Sequence, residues 1–277
     1  MPRSQQTRPK AEDRAPPLRP PLKWAGGKRW LAPHLEPLWR GQSSRRLVEP
    51  FCGGLAVALG LDPQHALLND VNPHPVNFYR HLQEGLTIRV PMRNDRDLYY
   101  QHRNDFNRLA STRRGSFSRK AAELFYYLNR TAYNGLCRFN RKGEFNVPFG
   151  RHERINYIRD FRAYRAALSR WHFTWGDFEK LDLHEDDFIY ADPPYDVPFR
   201  QYSRHGFEWS EQVRLASWLA QHKGPVVLSN QATERILALY QSLGFRLALL
   251  EAPRSISRTG DRTPAREVLA TRGFGGS

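Results

Sequence analysis

Short apolar runs recur along this chain and alternate with segments in which apolar residues follow the period of a helix. Such runs are typical of buried strands. We place the strands near residues 45–50, 66–69, 171–176, 187–191, 225–229, 245–251 and 266–271. Because strands that alternate with helices form parallel sheets, the pattern predicts an α/β fold.

Residues 75–165 interrupt this alternation with helical spacing and no strong strand run before the last part of the segment. We predict that they form a mostly helical domain, inserted into a catalytic domain made of residues 21–74 and 166–277. Aromatic residues at helical spacing within the insertion are expected to pack its core. Residues 1–20 combine five prolines with charged residues, which predicts a disordered N-terminal extension.

The net charge of +15 is spread along the chain and points to a polyanionic partner. A basic surface without a partner is the alternative. The two cysteines, Cys52 and Cys137, lie far apart without metal-ligand spacing, so we predict neither a disulfide framework nor a zinc site. We expect a cytoplasmic protein, because no stretch approaches the roughly 20 apolar residues of a membrane helix and the N-terminus lacks the apolar core of a signal peptide.

Three glycine-rich or acidic motifs lie near the first two predicted strands. One precedes the first strand, and the other two end the first and the second strand. KWAGGK (residues 23–28) allows a tight turn close to a ligand, and LVEPFCGG (47–54) ends a strand with two glycines. ALLND (66–70) puts a carboxylate at the end of the next strand, where acids commonly accept hydrogen bonds from ribose. The order of these loops predicts a nucleoside cofactor site. Simple glycine turns, a helix cap at Asp70 and a buried Phe51 are the structural alternatives.

The stretch DFIYADPPYD (residues 187–196) places an acid, two prolines and a tyrosine after a buried strand. Prolines have no N–H, so this loop offers carbonyl oxygens beside the Asp192 carboxylate. We expect an exocyclic amine such as adenine N6 to donate to Asp192 and to the Pro193 carbonyl while Tyr195 stacks on the ring. The nitrogen lone pair would then be free for attack. The alternative is an ordinary turn.

These motifs and their order resemble the Dam family, the D12 class of S-adenosylmethionine-dependent DNA adenine N6-methyltransferases. The resemblance covers residues 22–274, and its most specific segment is YNGLCRFNRKGEFNVPFGR (133–151), which corresponds to the family's target-recognition region. It implies a seven-stranded, Rossmann-like methyltransferase sheet with an inserted target-recognition domain. It also implies methyl transfer from S-adenosylmethionine to adenine N6 in double-stranded DNA at GATC, with the base flipped into the Asp-Pro-Pro-Tyr site.

The resemblance assigns roles to individual residues. The catalytic residues it implies are Asp192, Pro193, Pro194 and Tyr195. The cofactor pocket it implies is lined by Trp24, Ala25, Gly26, Lys28, Glu49, Phe51, Gly53, Asp70, Asp177, Phe178 and Asp192. The DNA contacts it implies are Lys23, Tyr133, Asn134, Leu136, Arg138, Asn140, Pro148, Arg151, Tyr202 and Arg254, and no metal is expected.

One departure from the family pattern concerns the first glycine loop. Many relatives have Phe-x-Gly-x-Gly after the first strand, whereas this chain has Phe51-Cys52-Gly53-Gly54-Leu55. The backbone contact of Gly54 is therefore left open.

Other functions fit part of the pattern. Related Asp/Asn-Pro-Pro-Tyr sites occur in enzymes that methylate RNA bases or protein glutamine amides, but the 133–151 segment argues against both. A DNA-binding protein without catalysis is a further class, and the intact Asp192 and KWAGGK loop argue against it. We expect a monomer that acts either as a solitary methylase or beside a restriction enzyme.

Overall fold

The computed structural model describes residues 18–196, 207–252 and 265–275. A seven-stranded sheet with the order β3-β2-β1-β4-β5-β7-β6 forms its centre. The strands are β1 (Leu47–Glu49), β2 (Ala66–Asp70), β3 (Trp171–Trp175), β4 (Phe188–Ala191), β5 (Val226–Gln231), β6 (Arg246–Ala252) and β7 (Ala265–Arg272). Each predicted strand is present with ends shifted by at most two residues, which confirms the α/β prediction.

Strands β1 to β5 are parallel to one another, and β7 is antiparallel to both β5 and β6. Every residue of β1, β2 and β4 is buried. Central parallel strands are covered on both faces, so they need near-continuous apolar runs, and these runs made the strands visible in the sequence. The parallel arrangement brings the loops after β1, β2, β3 and β4 to one edge of the sheet, which we call the carboxyl edge.

Nine helices lie within the described ranges. They are α1 (Ala32–Arg40), α2 (Ala56–Leu61), α3 (Pro73–Gln83), α4 (Arg96–Ala110), α5 (Arg113–Ser116), α6 (Arg119–Thr131), α7 (Arg162–Leu168), α8 (Trp209–Ala220) and α9 (Glu234–Ser242). The five helices α3 to α7 lie between β2 and β3, where the helical insertion was predicted.

Aromatic residues of the helical part pack against one another, in a core that continues onto one face of the sheet. Helix α6 is buried from Ala121 to its end at Thr131. The ring of Tyr126 on this helix stacks on Phe78 of α3 with centroids 5.2 Å apart, and Phe161 packs edge-on against both rings. Helix α3 also contacts the sheet, because the Arg80 guanidinium donates to the Phe173 carbonyl of β3. Helix α3 thus packs against both the helical insertion and the sheet, so the domain boundary near residue 74 remains a prediction.

The first described residues are attached to the helices. Leu18 packs against the core, and the Tyr164 hydroxyl donates to the Arg19 carbonyl at 2.7 Å. The predicted disordered extension therefore does not include its last three residues, because these contacts hold them. Residues 1–17 lie outside the described part. No helix in the described ranges is long and apolar enough to cross a membrane.

Candidate active site

The KWAGGK loop lies directly on the glycine pair that follows β1. A Cβ atom added to Gly53 would lie 2.7 Å from the Trp24 indole nitrogen, and one added to Gly54 would lie 2.8 Å from the Trp24 Cβ. Gly53 also has a φ of +45°, a conformation that disfavours other residues. Close approach of Trp24 thus explains both glycines, while the backbone contact of Gly54 with a ligand stays open.

Asp70 and its neighbour Asn69 join the loops at the carboxyl edge. The Asp70 carboxylate accepts from the Gly53 N–H at 3.0 Å and from the Asn72 N–H at 2.8 Å. The Asn69 side-chain amide donates to the Pro50 and Gly176 carbonyls, each at 3.0 Å. Burial raises the pKa of Asp70 to about 6, although both backbone donors lower it. The loops after β1, β2 and β3 are therefore fixed to one another.

Glu49 ends β1 beside these loops and is 2% exposed. Its Oε1 atom has no hydrogen-bond partner among the described residues. Burial raises the pKa of Glu49 well above its ordinary value. A buried acceptor without a donor is unfavourable in the free protein, so this oxygen is suited to a donor from a ligand.

Phe51 and Phe178 form an aromatic wall at the same edge, with ring centroids 5.8 Å apart. Asp177, next to Phe178, makes a two-pronged ion pair with Arg214 of α8 at 3.0 and 2.7 Å. Hydrogen bonds from Arg214 hold the pKa of Asp177 below its ordinary value. Arg214 was not predicted from the sequence, because its partner lies 37 residues away in the chain.

Asp192 follows β4, and about a fifth of its side-chain surface is exposed, at 20%. Its Oδ1 atom accepts from the Ser229 hydroxyl of β5 at 2.9 Å and lies 3.5 Å from the Lys28 ammonium. No described residue donates to Oδ2. Burial raises the pKa of Asp192 to about 6, with Lys28 and Ser229 lowering it and Glu267 raising it further.

Lys28 is 5% exposed and lies among two carboxylates and a phenol. Its ammonium is 3.3 Å from Glu267 of β7, contacts the Tyr195 hydroxyl and lies 4.2 Å from the centroid of the Tyr195 ring. The Tyr195 hydroxyl in turn donates to Glu267 at 2.6 Å. The predicted cofactor residue Lys28 is thus next to the Asp-Pro-Pro-Tyr loop, with its ammonium at the hydroxyl end of Tyr195.

Glu267 and Ser229, like Arg214, are residues at this site that the sequence reasoning missed. Glu267 lies in the apolar run REVLA and is 7% exposed. An acid inside a buried strand needs a partner, so its position was a usable signal. Ser229 gave no comparable signal, because a small hydroxyl residue in a strand is ordinary.

The two prolines of the loop have different surroundings. Pro193 is buried and Pro194 is exposed. The Pro194 carbonyl accepts from the Gln212 side-chain amide of α8 at 2.8 Å, and Asn230 of β5 donates to Gln212 at 3.0 Å. The loop is therefore fixed by side chains from two later elements.

The segment 133–151 begins beside the KWAGGK loop. A Cβ atom added to Gly135 would overlap the Lys23 side chain at 2.4 Å, and the Asn129 amide bonds both the N–H and the carbonyl of Lys23 at 2.8 Å. The Asn72 amide lies 3.9 Å from the Cys137 sulfur. Lys23 thus connects the segment to the KWAGGK loop, and Cys137 connects it to the loop after β2. The sequence alone did not predict this arrangement.

Other predicted DNA contacts have varied surroundings. Tyr133 is 52% exposed, and Asn134, Pro148 and Arg151 are also exposed, whereas Leu136 packs partly against the core. Arg138 donates to the Asn146 side chain at 2.8 Å, and the Asn140 side chain accepts from two backbone N–H groups of its own turn. Ala25 and Gly26 are exposed in the KWAGGK loop. Tyr202 and Arg254 lie outside the described residues.

The arrangement matches a known family. Residues 24–256 match the family described as D12 class N6 adenine-specific DNA methyltransferase. The chain belongs to this family. Its sheet order with an antiparallel β7 agrees with the predicted S-adenosylmethionine-dependent methyltransferase fold, and the family and fold together imply use of that methyl donor. Membership supports DNA adenine as the substrate over the RNA bases and protein glutamines considered above.

Three relatives illustrate the similarity. The retron Ec67 DNA adenine methylase of Escherichia coli is 34% identical over 91% of this chain and 90% of its own length. The Type II methyltransferase M1.LlaDCHI of Lactococcus lactis subsp. cremoris is 33% identical over 92% and 95%. The DNA N-6-adenine-methyltransferase of Escherichia phage P1 is 38% identical over 90% of this chain, but the match spans only 34% of that phage protein.

The contact between Trp24 and the glycine pair can be tested by Gly53→Ala. The added Cβ would overlap the indole and adopt a left-handed φ, which typically costs about 1–3 kcal/mol of folding free energy. We expect the free energy of unfolding in urea to fall by at least that amount. Gly27→Ala is the matched control, because its Cβ would meet its nearest atom at an ordinary 3.6 Å. Equal stability of the two variants would contradict the assigned contact.

Proposed function

We propose that the protein transfers a methyl group from S-adenosylmethionine to adenine N6 in double-stranded DNA, at GATC, with the target base flipped into the Asp-Pro-Pro-Tyr site. The observation that supports this most is the Asp192 carboxylate. It lies at the carboxyl edge, held by Ser229 through one oxygen, with no donor from the described residues on the other. Family membership supports the reaction class, and the resemblance of residues 133–151 supports the target.

The loops at the carboxyl edge fit S-adenosylmethionine chemically. Glu49 offers an unpaired buried oxygen, Asp70 offers a carboxylate next to the Gly53 turn, and Phe51 and Phe178 offer aromatic surface for an adenine ring. We infer that these residues hold the cofactor, with Trp24 fixing the glycine turn. When bound, the cofactor supplies the methyl group from its sulfonium centre.

The residues around Asp192 would prepare the amine for attack. Adenine N6 would donate one hydrogen to Asp192 and the other to the Pro193 carbonyl, so that the lone pair no longer delocalises into the ring. Catalysis of this kind depends on orientation and on acceptors fixed in advance. Ser229 and Lys28 supply that fixation, because both contact Oδ1 and leave the carboxylate in one position.

The depth of the acceptor supports the proposal of base flipping. Only 20% of the Asp192 side-chain surface is exposed, so a base stacked within a duplex would not reach it. Removing a base from the stack costs a few kcal/mol, which the site must offset with contacts to the flipped ring. Tyr195, two residues after Pro193, is the aromatic ring proposed for this role.

Replacement of Asp192 tests the proposed acceptor. We expect Asp192→Ala to lower the rate of methyl transfer to duplex DNA by orders of magnitude, because N6 then lacks its side-chain acceptor. The residue lies beyond β4, so thermal unfolding should stay cooperative. Glu208→Ala, an exposed acid before α8, serves as the control. Near-normal turnover of Asp192→Ala would refute the proposed role.

The pKa of Asp192 predicts a pH dependence. Its folded-state pKa of about 6 means that the carboxylate protonates as the pH falls through 6, and kcat/KM should fall with it. Stability has the opposite sign: the raised pKa favours the protonated folded form, so its contribution is full below the ordinary carboxyl pKa and is lost as the pH rises through about 6.

The same analysis separates Asp192 from Asp70, whose pKa is also about 6. Glu267 raises the pKa of Asp192, so Glu267→Gln should move the acid limb of the kcat/KM profile to lower pH. Glu251→Gln removes an equal charge from the neighbouring strand β6 and is the control. An unmoved acid limb in Glu267→Gln would contradict the assignment of this limb to Asp192.

Arg138 is the candidate for discrimination of a guanine. An arginine that pairs with guanine O6 and N7 discriminates that base by about 1–3 kcal/mol, whereas an arginine on phosphate does not distinguish sequences. Its bonds to Asn146 fix the side chain and still leave donors for a base. We expect Arg138→Ala to relax selectivity at one guanine of GATC, measured as methylation rates on GATC and its single-base variants.

Arg151→Ala is the comparison, because Arg151 is exposed in the same segment without a described side-chain partner. If Arg138→Ala slows methylation of every duplex by one factor, Arg138 contacts the backbone or serves packing. If the wild-type protein shows no preference for GATC, the proposed target sequence is wrong.

A further inference from the structure

Two arginines and two aromatic side chains line a surface pocket beside the edge strand β3. We call Arg113, Arg114, Phe117 and Trp175 the arginine–aromatic patch; Arg80 also lines the pocket. The rings of Phe117 and Trp175 lie 5.4 Å apart at 41°, so they form one apolar surface next to the two guanidinium groups. None of these four residues contributes to the proposed base or cofactor site.

The charges of the patch are available to an external anion. Arg113 and Arg114 are exposed and make no ion pair with any residue in the described ranges. Some surface arginines are already paired, since Arg40 pairs with Glu36 and Arg170 pairs with Asp62, each at 2.6 Å. We leave Arg80 out of the proposed anion contacts, because its guanidinium already donates to the Phe173 carbonyl.

The aromatic part of the patch is unusual for a surface. Trp175 is 44% exposed, and only three other large apolar side chains in the described ranges are exposed: Val71, Tyr133 and Leu249. Val71 directly follows Asp70, and Tyr133 begins the segment next to Lys23. Leu249 lies apart in β6, but the other three surround the carboxyl edge, as expected for a binding face.

The patch lies close to the proposed DNA-binding segment. Trp175 of β3 is paired in register with Asp70 of β2, and neighbouring strands are about 5 Å apart. Asn72, two residues after Asp70, reaches Cys137 of the 133–151 segment. The patch is therefore near the segment that is proposed to contact the duplex.

We propose that the arginine–aromatic patch binds DNA outside the target sequence, with Arg113 and Arg114 on backbone phosphates and with Phe117 and Trp175 against the adjoining sugars. The proposal rests on the proposed function because it assumes that double-stranded DNA is the substrate. The patch would add affinity for long DNA and retain the enzyme near its sites. It takes no part in methyl transfer.

Binding of two duplexes tests this proposal. One duplex carries GATC in about one helical turn, and the other carries the same site in about three turns. We expect Arg113→Gln/Arg114→Gln to reduce the slope of log affinity against log salt by about 0.9 for each lost phosphate contact, or about 2, on the long duplex only. Turnover at saturating DNA should be unchanged.

The matched control is Arg40→Gln/Arg170→Gln, which removes the same charge. These arginines lie where α1 ends and where β3 begins, whereas the patch lies where β3 ends. Phe117→Ala should weaken binding of the long duplex without changing the salt slope, because it removes no charge. Thermal unfolding checks that each variant is folded.

Three results would overturn the proposal. First, the patch variant could bind the long duplex as the control variant does. Second, it could bind both duplexes equally weakly, which would put the patch at the target site. Third, Phe117→Ala could leave binding of the long duplex unchanged. Absence of methyl transfer by the wild-type protein would instead refute the proposed function. The salt slope would still decide whether the patch binds DNA, so the two failures are distinguishable.

Discussion

Burial of the Lys28 ammonium is the interaction on which the site depends. A charge that is 5% exposed is unfavourable unless it is paired, and here Glu267 and Asp192 lie within 3.3 and 3.5 Å of it. These residues come from the KWAGGK loop, from β7 and from the end of β4. Satisfying one cation therefore fixes three distant parts of the chain in one arrangement, with the Tyr195 hydroxyl as a further contact.

This requirement also explains the state of Asp192. Burial and Glu267 favour its protonated form, whereas Lys28 and Ser229 favour the carboxylate, and the balance gives a pKa of about 6. Near neutral pH the group is thus largely ionised yet poorly solvated, a condition in which it accepts hydrogen bonds strongly. Similar forces act on Asp70, whose carboxylate is buried between two backbone donors.

Much of the fold was predictable from the sequence, because buried parallel strands need apolar runs and the motifs at their ends are local. The motifs that contain Trp24, Gly53, Asp70 and Asp192 were recognised in this way. The contacts that position these residues were not predictable, since Ser229 and Glu267 lie 37 and 75 residues after Asp192 and become neighbours only through the β4-β5-β7 order. The pairing of Asp177 with Arg214 was hidden for the same reason.

The most direct test of the proposed reaction is a map of N6-methyladenine in DNA from cells that express the protein and lack other adenine methylation. The account predicts that methyl groups accumulate at the adenine of GATC with the wild-type protein. It also predicts that they are absent when Asp192→Ala is expressed at the same level. Methylation at other sequences would contradict the target, and GATC methylation by Asp192→Ala would contradict the role of the carboxylate around which the site is built.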